Sequence, residues 1–93
     1  MNNVIGTTVQ DAAGPDPIRL DLTGLKCPLP VLKARRQITQ MAAGDLVEVM
    51  ADDPAAPLDF EHFCRTAGHE LVETRTKEAV FTFCIRAAGP KSK

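Results

Sequence analysis

Gly24-Leu25-Lys26-Cys27-Pro28-Leu29-Pro30-Val31-Leu32 joins an alternating pattern to a helical one and sets a cysteine at the junction. A proline at the first helical position is tolerated because its missing N–H has no intrahelical partner there. The residue before a proline is pushed out of helical dihedrals, which is what an N-cap residue requires. The spacing therefore predicts Cys27 as the cap, with Pro28 at N1, Leu29 at N2 and Pro30 at N3. The sulfur would then face the positive end of the helix and the free N–H of Leu29, which makes a thiol more acidic and more nucleophilic. Helix-end electrostatics of this size lower a cysteine by about one pKa unit, and Lys26 adds to the effect. The competing reading is an inert capping cysteine.

Upstream, Ile18-Arg19-Leu20-Asp21-Leu22 alternates apolar and polar residues, a half-buried strand with Ile18, Leu20 and Leu22 inward. Thr23-Gly24 turns the chain, and Asp21 is suited to support that turn by accepting from nearby backbone N–H groups. Downstream, Val31, Ala34, Ile38 and Met41 recur at helical spacing, predicting a helix from Pro28 to about Ala43 that Gly44 ends as a left-handed C′ residue. Lys33, Arg35 and Arg36 lie on its other faces. They are a solvated face or, with Lys26, a candidate docking patch for an acidic partner near the thiol.

Asp45 to Ala51 reads as a second strand, with Val47, Val49 and Ala51 on one face. Asp52-Asp53-Pro54 is turn chemistry; the paired aspartates lack the further ligands a metal would need. A second helix is predicted from about residues 55–57 to Ala67, with Phe60, Phe63, Cys64 and Ala67 buried and Gly68 as its stop. His69 to about Thr76 is a third strand in which Leu71-Val72 breaks alternation, leaving its facing open. Ala79 to Ala87 is a fourth, with Phe81, Phe83 and Ile85 inward and Thr82, Cys84 and Arg86 opposite. The turn near Lys77-Glu78 lacks Asn-Gly or Asp-Gly, so its type is open. Parallel strands take right-handed crossovers, and two in succession put both helices on one face. The expected fold is α+β: a two-layer α/β sandwich of order βαβαββ, with a four-stranded mixed sheet and both helices on one side.

Residues 18–87 are expected to form the single domain, residues 1–17 a flexible N-terminal tail and 88–93 a C-terminal tail. Eleven Lys+Arg against twelve Asp+Glu, with no Trp or Tyr, give no footprint for nucleic acid. No apolar run reaches membrane-spanning length, and Met1 to Pro17 has neither a basic nor an apolar region of a secretory signal. Three cysteines at 27, 64 and 84 have no framework spacing, so a reducing cytoplasm is expected.

A dithiol site would need Cys-x-x-Cys, but Pro30 occupies the second cysteine's position. Zinc would need close Cys/His pairs, and His62 and Cys64 fall on different helix faces. A Cys–His hydrolase needs a histidine beside the thiol, and spacing places neither His62 nor His69 there. No metal and no cofactor are expected. Cys64, on an apolar stripe, reads as a small core residue, and Cys84 as a structural strand residue. An activated thiol without base, metal or second thiol suits chemistry in which sulfur is itself the cargo.

Leu20-Asp21-x-x-Gly24-Leu25-x-Cys27-Pro28-x-Pro30-Val31 resembles the signature of the TusA/SirA-like sulfur carriers. Ala51-Asp52-Asp53-Pro54, Phe63-Cys64, Gly68-His69-Glu70-Leu71 and Ile85-Arg86 extend the resemblance in colinear order. It implies a sheet in which the fourth strand lies antiparallel between the second and third. It also implies that Cys27 accepts sulfane sulfur as a persulfide from a cysteine desulfurase or rhodanese-like donor and relays it to an acceptor protein. Family destinations include tRNA thiolation, molybdenum-cofactor enzymes and sulfur oxidation. Pro28 and Pro30 would shape the helix start, and Gly24 and Asp21 the preceding loop. Such a protein is a persulfide carrier of sulfurtransferase type rather than a stand-alone enzyme, expected as a monomer. The departures are the front tail and a third-to-fourth-strand turn without the usual Gly. The alternatives are a non-catalytic interaction or regulatory module of the same fold, or a redox-linked member of the superfamily.

Overall fold

The alternating segment before the cysteine loop forms strand β1, Ile18–Asp21, and the helical stripe after it forms α1, Leu29–Ile38. Strand β2, Leu46–Ala51, helix α2, Ala56–Ala67, and the hairpin strands β3, Glu70–Lys77, and β4, Val80–Arg86, follow. The structure is a computed structural model and describes residues 17–89. Nearly all of the two expected tails lies outside the described residues.

The four strands form one mixed sheet of order β1-β2-β4-β3. β1 runs parallel to β2, with Leu20 opposite Val49, and β4 is antiparallel to both β2 and β3. The βαβαββ order and the insertion of β4 between β2 and β3 are as the sequence and the resemblance imply. One face of the sheet supplies Val47, Val49, Ala51, Phe83 and Ile85, all fully buried. Against them lie Ala34 and Ile38 of α1 and Phe60, Phe63 and Cys64 of α2, in one apolar cluster. Phe60 stacks on Phe83 with ring centroids 4.6 Å apart, so the largest fully buried helix side chain meets the middle of the central antiparallel pair. The other face is polar: Glu48 bridges Arg19 at 3.4 Å and Arg75 at 3.7 Å. Both helices therefore share one layer, and the loop between β1 and α1 opens at its edge.

Several local expectations are corrected. Helix α1 begins at Leu29 with Pro28, not Cys27, as its N-cap, and ends at Ile38 rather than near Ala43. After Ile38 the ladder tightens: Gln40 and Met41 donate to the carbonyls three residues back, Gln37 and Ile38. The Asp45 carboxylate then takes the Ala42 N–H at 3.1 Å. Gly44 does have positive φ, but in this later turn rather than as the C′ residue of α1. The buried stripe of α1 is Pro30, Ala34 and Ile38, with Val31 half-buried beside it. Gly68 stops α2 as expected, at φ 83 with its N–H on the Cys64 carbonyl, a conformation cheap for glycine alone. In β1, Leu22 just beyond the strand is buried and Leu20 half-buried, but Ile18 is 39% exposed, at the start of an edge strand.

The broken alternation at Leu71-Val72 is a β-bulge. Leu71 pairs with Ile85 and Glu73 with Cys84, leaving Val72 as the extra residue, exposed. The bulge keeps Leu71 on the core side while the rest of β3 runs exposed along the sheet edge. The hairpin turns on Glu78 and Ala79, at φ 50 and 67, one residue later than expected. Positive φ at both central positions is the signature of a primed turn, whose twist matches the flanking strands.

Candidate functional site

The Cys27 loop is held from three sides. Leu22 donates its N–H to the Met50 carbonyl at 2.8 Å, extending the β1–β2 ladder by one residue. The Thr23 N–H and hydroxyl both donate to Asp21, at 3.1 and 2.6 Å, so Asp21 supports the turn as its position suggests. Those two bonds hold its carboxyl below the ordinary carboxylate value. Gly24, at φ 86, donates to Asp52 Oδ1 at 2.9 Å, tying the loop to the connection between β2 and α2. A side chain at that φ would be strained. Of the paired aspartates, Asp52 thus holds the cysteine loop. Asp53 accepts from the Ala55 N–H at 3.1 Å at the start of α2. Both do turn work, and the described residues contain no cluster of three or more metal-ligating side chains.

Cys27 follows, exposed, with a cis bond to Pro28. It lies one residue outside the N-cap, and the amide expected to face its sulfur is engaged: Leu29 donates to the Lys26 carbonyl at 2.8 Å. The start of α1 has no side-chain cap bond. The expected lowering of the Cys27 pKa is therefore corrected: the thiol is held above its ordinary value. The largest cause is the nearby Asp59 carboxylate; desolvation and the charges of Asp59 and Asp53 add to it. An adjacent negative charge disfavours the thiolate, and here it outweighs a helix end that the sulfur does not cap.

The thiol opens into a groove of about 600 Å3 between the two helices. Pro28, Val31 and Arg35 line it from the α1 side, and Leu58, Asp59, His62 and Thr66 are among those lining it from α2. His62, which spacing alone does not place near the thiol, thus shares its groove, while His69 takes the Ala88 N–H on Nδ1 at 2.9 Å elsewhere. The α2 residues were legible in principle. Leu58, His62 and Thr66 are four apart, a stripe beside the buried one of Phe60, Phe63 and Cys64, but without the position of α1 nothing marks that stripe as facing a thiol.

The basic candidates separate. Arg35 lines the Cys27 groove, and exposed Lys26 precedes the cysteine. Lys33 and Arg36 instead line a different cleft with Leu20, Leu22, Gln37 and Gln40. Pro30, expected to shape the helix start, turns its ring into the buried stripe. Cys64 is 3% exposed, and burial pushes its thiol up to about 11. Cys84 lies half-buried on β4, opposite Glu48 and Glu73.

The profile of the family described as Sulfurtransferase TusA matches residues 18–87. A provisionally named sulfur carrier protein of Neisseria meningitidis serogroup A is 49% identical over 67 residues, 72% of this chain and 90% of that protein. The sulfur carrier protein TusA of Allochromatium vinosum is 39% identical over 67 residues, 72% of this chain and 88% of its own. The crystal structure of a SirA-like protein from Desulfitobacterium hafniense is similar with a TM-score of 0.69 at 26% identity, covering 76% of this chain and 97% of that one.

Proposed function

The chain belongs to the TusA family of sulfur carriers, and from that premise we propose that Cys27 bears the sulfur, as a persulfide, between a donor protein and an acceptor protein. The observation that carries the reading is the contrast among the cysteines. Cys27 is exposed at the mouth of a groove, Cys64 is sealed in the core, and Cys84 is half-buried on the far face of the sheet.

The chemistry is thiol exchange. The Cys27 thiolate attacks the outer sulfur of a persulfide on the donor cysteine. The S–S bond to the donor breaks, the donor leaves as a thiolate, and Cys27 becomes Cys27–S–SH. On discharge the acceptor thiolate attacks that outer sulfur and Cys27 leaves in turn. One sulfane sulfur moves and no net electrons are exchanged. The donor is a cysteine desulfurase or a rhodanese-like protein, and the acceptor serves tRNA thiolation or a related sulfur transfer. Gly24, Asp21, Pro28 and Pro30 set the loop and helix start that present the sulfur. Of the basic residues, Lys26 and Arg35 stand where a docked partner would meet them; Lys33 and Arg36 face another cleft.

Incubation with a cysteine desulfurase and cysteine, followed by peptide mass spectrometry, tests the reading. The Cys27 peptide should gain the mass of one sulfur atom and lose it on reduction. Cys27→Ser should stay folded, within about 0.5 kcal/mol of the parent, because Cys27 is exposed and caps nothing, yet should not load. Sulfur bound to the Cys27→Ser protein would overturn the assignment. The acidic setting of the thiol favours one rival, a binding module with an inert Cys27, and that rival forecasts no loading of the parent protein.

A further inference from the structure

The charges around Cys27 are uneven. Asp59 lines the groove into which Cys27 opens, and its carboxylate, with that of Asp53 in the connection before α2, puts negative charge beside the thiol. Arg35 and Arg65 line the same groove, as does His62. Neither arginine pairs with Asp59; the ion pairs among the described residues lie elsewhere, on Glu48, Glu70 and Glu73. The neighbouring Lys26 is exposed. The groove thus holds a carboxylate near the thiol that no cation among the described residues meets at ion-pair distance.

Resting on the reading of Cys27 as the sulfur-bearing residue, we propose that Asp59 is a positioning residue that holds the free Cys27 thiol protonated, and that a protein partner releases it by seating an arginine or lysine against that carboxylate. The thiolate is the attacking species, and a carboxylate beside it disfavours its formation. Alone, the carrier stays in the thiol form, which protects an exposed cysteine from oxidation and from exchange with unrelated disulfides. A cation brought onto Asp59 removes that penalty where and when a persulfide donor is present. The S–H proton goes to water, the thiolate takes the outer sulfur, and the donor thiolate leaves. In discharge the same contact favours Cys27 as the leaving thiolate, so one partner feature serves both directions. The local field also decides partner chemistry. A surface that meets the thiol itself should be cationic there, whatever acidic contacts Lys26 and Arg35 make around it.

The test uses the full chain and three proteins: the parent, Asp59→Asn and Asp59→Glu. Peptide-resolved alkylation of Cys27 by iodoacetamide across pH reads the thiol directly. Removing the unit charge should lower the midpoint, so alkylation near neutral pH should rise roughly threefold to tenfold. Asp59→Glu keeps the charge and should stay near the parent. Loading is then compared with two donors, sodium polysulfide and a cysteine desulfurase with cysteine. Asp59→Asn should load faster from polysulfide, which brings no cation, and should show a raised KM for the desulfurase, which loses its contact. A residue that merely supported the fold would slow both. An unchanged alkylation midpoint in Asp59→Asn, or a change of the same sign with both donors, would overturn the proposal. A parent protein that takes sulfur from neither donor overturns instead the carrier reading, and the two failures are distinct because alkylation needs no sulfur donor.

Discussion

Asp52→Ala removes the bond that joins the cysteine loop to the other half of the site. Its Oδ1 accepts the Gly24 N–H at 2.9 Å, across 28 residues of chain. Hydrogen bonds to a charged group are worth about 1.5–3 kcal/mol, but both partners are exposed and water can replace the carboxylate, so about 1 kcal/mol is the reasonable loss. For a domain of this size that lowers Tm by roughly 4–8 °C. Asp52→Asn keeps an acceptor but not its charge. Because charge-assisted bonds are about twice as strong as neutral ones, it should give about half that drop. Thermal unfolding followed by circular dichroism measures both. Against a stability of several kcal/mol, a loss of about 1 kcal/mol leaves the protein folded at 25 °C. Any slowing of desulfurase loading in Asp52→Ala at that temperature therefore reports the loop, which carries Cys27 three residues after Gly24. An Asp52→Ala protein that melts and loads like the parent would refute the claim that this bond holds the loop. Equal losses in Asp52→Ala and Asp52→Asn would assign the effect to charge alone.

Two further outcomes are expected. Glu78 and Ala79 both sit at positive φ in the hairpin, so Glu78→Asn with Ala79→Gly, the residues a primed turn favours, should stabilise by about 1 kcal/mol; an unchanged or lowered Tm would contradict the turn geometry. Burial pushes the Cys64 thiol up to about 11 in the folded state, while the unfolded thiol ionises near its ordinary value of 9.0. Between those values the unfolded state binds fewer protons, so the Cys64 contribution to stability, intact below pH 9.0, is lost as pH rises towards 11. Urea unfolding at pH 8 and pH 10.5 should show a steeper decline for the parent than for Cys64→Ala; parallel declines would mean that the thiol is not held neutral.

Periodicity carried most of the fold. The period-two faces of Val47, Val49 and Ala51 and of Phe83 and Ile85, with the helical stripe of Phe60, Phe63 and Cys64, are the residues that meet in the core. The order of elements and the right-handed crossover rule then left one layer for both helices. What periodicity did not carry was set by single hydrogen bonds. Met41 continues the α1 stripe and is indeed buried, yet the helix has already ended, because Asp45 captures the Ala42 N–H and the C-terminal end of the sheet takes the Gly44 N–H through Ala87. Burial pattern and helical hydrogen bonding are separate properties, and the sequence displays only the first. Val72 is the converse case: a break in alternation was visible, but assigning the extra residue to a bulge required the pairing of Leu71 and Glu73 with β4.

The site divides along the same line. Cys27 and the loop-shaping Gly24 and Asp21 form a contiguous motif, so their neighbourhood is written in the chain. The proton affinity of the thiol is not, because it depends on residues about thirty positions away. A helix end acts on a sulfur only if the sulfur caps it; here Lys26 takes the Leu29 amide and Pro28 becomes the cap, so that local favourable term is lost. Asp59 then decides the sign. It lies on α2, in a first helical turn where an acidic residue is ordinary helix-dipole chemistry, so nothing in its own surroundings singles it out. Only the packing of α1 beside α2 turns a routine helix-start carboxylate into the group that sets the state of the cysteine. The cysteine proposed to bear the sulfur and the carboxylate proposed to control it thus sit on opposite sides of the groove. A partner that fills that groove meets both at once, which a control built into the cysteine loop alone would not achieve.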